Sequence, residues 1–75
     1  MITPAQCRAA RALLDWSQQQ LATAAHVGVV TVRQFEGSGA QPRPATMEVI
    51  CRALVAAGIE FIPENGGGAG VRLRH

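Results

Sequence analysis

Apolar residues recur at helical spacing through most of this chain and switch to alternation near its end. Cys7, Ala10, Arg11 and Leu14 stand three, four and seven apart, a pattern that predicts a first helix with one arginine on its apolar stripe. That arginine needs a partner if it is buried. Thr3-Pro4-Ala5-Gln6 supplies the start of the helix, with a hydroxyl N-cap, proline in the first turn and glutamine three residues after the cap. Asp15-Trp16 breaks the period, and Trp16 reads as an anchor between helices 1 and 2. Ser17-Gln18-Gln19-Gln20 forms a second capping box. Leu21, Ala22 and Ala25 then make one small apolar face before His26-Val27-Gly28 marks a tight turn. A third helix, Val29 to Glu36, turns Val32 and Phe35 inward and leaves Val29, Val30, Arg33 and Gln34 facing elsewhere. Residues 37–42 have the composition of a loop. Pro44 opens a fourth helix, in which Met47, Ile50, Cys51 and Leu54 repeat until Gly58.

Beyond Gly58, Ile59-Glu60-Phe61 and Val71-Arg72-Leu73-Arg74 alternate, and the glycine-rich run between them reads as a long hairpin loop. The expected architecture is mostly α: four helices over residues 1–58, then a two-stranded β element over 59–75. Two isolated strands are marginal in water, so the hairpin must pack on the helices or pair with another chain.

Composition narrows the functions open to such a fold. Seventy-five residues bury only about 60% of the surface their unfolded chain exposes, too little for a large catalytic cleft. Asp15, Glu36, Glu48, Glu60 and Glu64 do not pair at catalytic spacing, and neither Ser17 nor Ser38 has a histidine and acid to activate it. No enzyme is expected. Asn65-Gly66-Gly67-Gly68 lacks the lysine and following helix of a phosphate loop. Cys7 and Cys51 are far apart with no CxxC, so they read as buried free thiols, and neither a metal nor a cofactor is expected. The start of the chain has neither the basic residues nor the apolar run of a signal peptide, and no stretch is long enough to span a membrane. A cytoplasmic location follows as an expectation. The formal net charge is only +2, but all seven cations are arginine, which suits a phosphate-bearing partner.

Two short helices joined by a three-residue turn form a helix-turn-helix, the arrangement that lays one helix in a DNA major groove. Leu21, Ala22, Ala25, Val27, Val32 and Phe35 occupy the positions at which its crossing helices need small or apolar residues. Through Trp16-Ser17-Gln18, Leu21-Ala22, Ala25, Val27, Thr31-Val32, Phe35-Glu36 and the segment Pro42 to Leu54, residues 5–57 resemble the phage-repressor and Cro-like, or XRE, family of bacterial regulators. The resemblance implies sequence-specific binding of double-stranded DNA and a buried structural ion pair between Arg11 and Glu36. It also implies that Gln18 meets a phosphate and that Val29, Val30 and Gln34 face base edges. Gln34 is suited to a bidentate contact with adenine, Arg33 to phosphate or guanine, and the valines only to a thymine methyl. Thr31 lies on the same helix, and Ser38, Gln41 and Arg43 in the following loop offer donors to phosphates. Three positions depart from the family pattern. His26 stands where glycine is usual, Gly28 replaces a hydroxyl cap, and Ser38 replaces a helix-ending glycine, a duty then left to Gly37 or Gly39.

A different class of function competes with a stand-alone repressor. Helix 4 carries Val49, Ala53, Val55 and Ala56 outside its main stripe, and the strands have edges to offer, as an antitoxin or other protein-interaction module would. Ile59, Phe61, Val71 and Leu73 form an apolar face suited to homodimerisation, unless that face merely covers its own helices. Arg8, Arg52, Arg72 and Arg74 read as solvated, with Arg52 paired to Glu48 one turn away.

Overall fold

The computed structural model describes residues 2–38 and 40–74. They form four helices, α1 (Pro4–Leu14), α2 (Gln18–Ala25), α3 (Val29–Ser38) and α4 (Pro44–Ala56), followed by strands β1 (Ile59–Ile62) and β2 (Gly70–Leu73). Both capping boxes are present: Thr3 accepts from the Gln6 N–H and Ser17 from the Gln20 N–H, and each glutamine side chain bonds back to its cap. A side-chain cap of this kind stabilises a helix by about 1 kcal/mol. α1 and α2 end on non-glycine residues in the left-handed region, Asp15 (φ 57) and His26 (φ 59). His26 thus adopts the backbone that glycine would otherwise supply, a conformation histidine tolerates better than most side chains.

α3 is longer than its apolar pattern suggests. The helix runs through Gly37 to Ser38, where the serine hydroxyl donates to the Gln34 carbonyl at 2.7 Å and keeps the last turn wound. Gly37 is not among the glycines with positive φ, so it does not terminate the helix; Gly39 lies outside the described residues. Val29 is half-buried and packs against the core rather than facing away from it. At the end of α4 the Gly58 N–H reaches the Val55 carbonyl. With φ at 110, Gly58 turns the chain into β1 through a backbone conformation that side chains rarely adopt.

β1 and β2 are antiparallel, with Ile59 opposite Leu73, Glu60 opposite Arg72, Phe61 opposite Val71 and Ile62 opposite Gly70. The hairpin lies on the helices and shares their core. Ile59 is fully buried together with Cys7, Leu21, Val32, Phe35, Met47, Ile50 and Leu54, while Phe61 and Val71 pack at the margin of that cluster. The face of the hairpin therefore covers its own helices over Ile59, Phe61 and Val71, whereas Leu73 remains 42% exposed. Gln6 fastens the two parts together, its side-chain amide donating to the Gly70 carbonyl at 3.0 Å. Cys51 is half-buried rather than fully enclosed. Trp16, read as an anchor between helices, packs only part of its ring on the core. Among the described residues no helix is long and apolar enough to cross a membrane.

Candidate nucleic-acid interface

The three helices that would meet DNA are joined through one buried carboxylate. Glu36, only 3% exposed, sits on the inner side of α3. Arg11 of α1 donates to both of its oxygens, Nη2 to Oε1 at 2.7 Å and Nε to Oε2 at 2.8 Å. This is the planar two-point geometry in which arginine binds carboxylates most strongly. The same guanidinium also donates to the Trp16 carbonyl at 3.0 Å, at the junction of α1 and α2.

Two further side chains complete the site. The Cys7 thiol donates to Glu36 Oε2 at 3.1 Å, and the Gln18 amide donates to Oε1 at 3.1 Å. Arg8, read from the sequence as solvated, reaches across from α1 to donate to the Glu36 backbone carbonyl. No buried side-chain nitrogen or oxygen among the described residues lacks a partner, which is the condition for an internal ion pair to be tolerated. Burial pushes the Glu36 carboxyl toward higher pKa. The hydrogen bonds from Arg11, Cys7 and Gln18 outweigh that effect and leave it below the ordinary carboxylate value.

The same enclosure acts in one direction on Cys7. Burial first, and then its bond to Glu36, raise the thiol far above its ordinary value, so it stays protonated and donates. An alkylating reagent such as iodoacetamide at pH 8 is therefore expected to modify Cys7 only as fast as the domain unfolds, as followed by mass spectrometry across a urea series. Modification of Cys7 at equal rates in native and unfolded protein would contradict this placement.

On the outer side, the clamp leaves a surface free of exposed carboxylates. Between residues 16 and 47 the sequence contains one acidic residue, Glu36, and it is buried. Val30 is 53% exposed, and Arg33 and Gln34 are also exposed along α3. Thr31 is half-buried beside them. The loop after α3 folds back so that Gln41 and Arg43 join Thr31 and Gln34 around an open groove of about 360 Å³, to which Ala40, Pro42 and Thr46 also contribute. Ala40 and Thr46 carry no functional signal in the sequence, because only the path of the loop brings them to α3.

The remaining sequence candidates are placed less simply. Gln18 occupies the first turn of α2, but one amide hydrogen is already held by Glu36. The Ser38 hydroxyl donates within its own helix and accepts from the Ala40 N–H at 3.4 Å. Val29 turns part of its surface to the core. Among the described residues no group of histidines, cysteines and carboxylates is placed to hold a metal ion.

The family model for helix-turn-helix domains matches residues 8–54, spanning α1 to α4. The chain belongs to this family, the XRE-type helix-turn-helix of Cro- and repressor-like proteins. It is a family of DNA-binding regulatory domains. No curated protein matches the chain.

Proposed function

We propose that this protein is a cytoplasmic transcriptional regulator, of the repressor kind, which binds duplex DNA sequence-specifically as a homodimer with α3 in the major groove. The observation that carries the reading is the clamp on Glu36. It fixes α2 against α3 through Gln18 and Arg11, and it leaves Val30, Arg33 and Gln34 exposed on a surface with no competing carboxylate. Gln34 and Arg33 then read base edges, with Val30 against a thymine methyl. Gln18, Thr31, Ser38, Gln41 and Arg43 position the domain on the phosphates.

The test is a titration of labelled duplexes between 50 and 200 mM salt. Binding should weaken steeply, because each neutralised phosphate contributes a slope of about −0.9 in log K against log salt. Arg43→Ala should lower that slope by about one. An affinity indifferent to salt, or no binding to any duplex at 50 mM, would contradict the reading.

A second reading, an interaction module of the antitoxin type, is favoured by one feature. A shallow groove of about 280 Å³ between α2 and α4 is floored by Ala24, Ala25, Val49, Ala53 and Ala56 and edged by His26 and Arg52. It lies on elements that α3 does not use, so the two functions are compatible.

A further inference from the structure

The phase of the β ladder fixes what the outer edge of β2 offers. The Arg74 N–H donates to the Gly58 carbonyl at 2.9 Å, so this pair is hydrogen-bonded. Alternation along an antiparallel ladder then makes Glu60/Arg72 and Ile62/Gly70 bonded pairs, and Ile59/Leu73 and Phe61/Val71 non-bonded ones. The N–H and C=O groups of Val71 and Leu73 consequently point away from β1, into the outer edge.

That edge is the more open of the two. β1 carries the fully buried Ile59, is followed by Pro63, and has Ile2 and Thr3 lining the same cavity as its Phe61 and Ile62. Along β2, exposure increases toward Leu73. α1 bonds to the Gly70 carbonyl, a group on the β1 side of the strand, so it approaches β2 from the covered face. Three large hydrophobic residues among those described are exposed. One, Val30, lies on α3, and the other two, Leu13 and Leu73, lie on the elements bordering this edge.

We propose that a second copy of β2 occupies this edge, antiparallel across a two-fold axis, to give a four-stranded sheet with Val71 opposite its own symmetry mate. Charge selects both occupant and register. Three self-pairings match the outward N–H and C=O groups. One sets Arg72 directly opposite itself and another sets Arg72 opposite Arg74 twice, and like charges in direct opposition are destabilising. With Val71 on the axis, Arg72 faces Gly70 of the other strand and Leu73 faces Ala69. The guanidinium, already held by Glu60 through two 3.0 Å bonds, meets a position without a side chain. The strand thus supplies both the cation and the gap opposite it, the self-complementarity that a two-fold contact requires.

This pairing rests on the homodimer reading above, and sedimentation separates the two. The full chain should sediment as a dimer at tens of micromolar. Val71→Pro removes an N–H that the internal ladder does not use, a place where edge strands accept proline. It should retain the circular dichroism of the parent and raise the dimer dissociation constant at least about 30-fold, for two lost bonds. Gly70 provides a second handle, since a Cβ there meets only Ile62 at 3.7 Å, an ordinary contact. Gly70→Arg should weaken the dimer about tenfold, and Gly70→Glu should tighten it. A monomeric full chain would overturn both the homodimer and the edge pairing while leaving DNA binding by α3 standing. A dimer unaffected by Val71→Pro and by both Gly70 substitutions would overturn the edge pairing alone.

Discussion

Replacing Glu36 by alanine is expected to lower the unfolding free energy by about 3 to 5 kcal/mol, because it strands the Arg11 guanidinium among buried groups with no counter-charge. A loss of that size rivals the whole stability of a small domain. Urea denaturation followed by circular dichroism should show the midpoint collapse, and Arg11→Ala should do nearly the same. The double replacement Arg11→Met with Glu36→Leu should recover most of the loss, since an apolar pair of similar volume avoids the desolvation of both charges. Independent losses that simply add in the double variant would contradict the clamp. The lowered carboxyl of Glu36 also sets a direction with pH. Its contribution is fully present above the ordinary carboxylate value of 4.5 and is lost as pH falls through the lower native value. Acid unfolding of the parent should therefore show a component that the double replacement lacks.

The second large effect concerns specificity. Gln34→Ala is expected to remove about 1 to 3 kcal/mol of discrimination at a single base pair of each half-site. Anisotropy titrations with duplexes differing at one position would measure it. Gln18→Ala should instead weaken all duplexes about equally, because phosphate contacts carry no sequence information. Unchanged affinity and unchanged preference in Gln34→Ala would mean that α3 docks in a different register.

Local chemistry made much of this molecule legible in the sequence. The two capping boxes, the turn at His26 and the switch to alternation after Gly58 each depend on residues within a few positions of one another. Arg11 announced itself as a charge on an apolar stripe, and the resemblance to repressors supplied its partner. What the sequence did not reveal depends on contacts between distant segments. The Cys7 thiol on Glu36 and the Arg8 bond to the Glu36 carbonyl span 29 and 28 residues, and Gln6 reaches Gly70 across 64. No periodicity encodes such pairs, because they follow from the angles at which α1 crosses α3 and the hairpin. The two extra residues of α3 escaped for a different reason: Gly37 and Ser38 have the composition of a loop, and it is the bond from Ser38 back to Gln34 that holds them helical.

Selection of bound duplexes from a random library tests the central claim, sequence-specific DNA binding through α3, most directly. The parent protein should enrich an inverted repeat with half-site centres about 34 Å apart, one turn of DNA. Gln34→Ala should enrich a motif altered at symmetry-related positions within it. Recovery of the input library without enrichment, at low salt and with folded protein, would contradict the account.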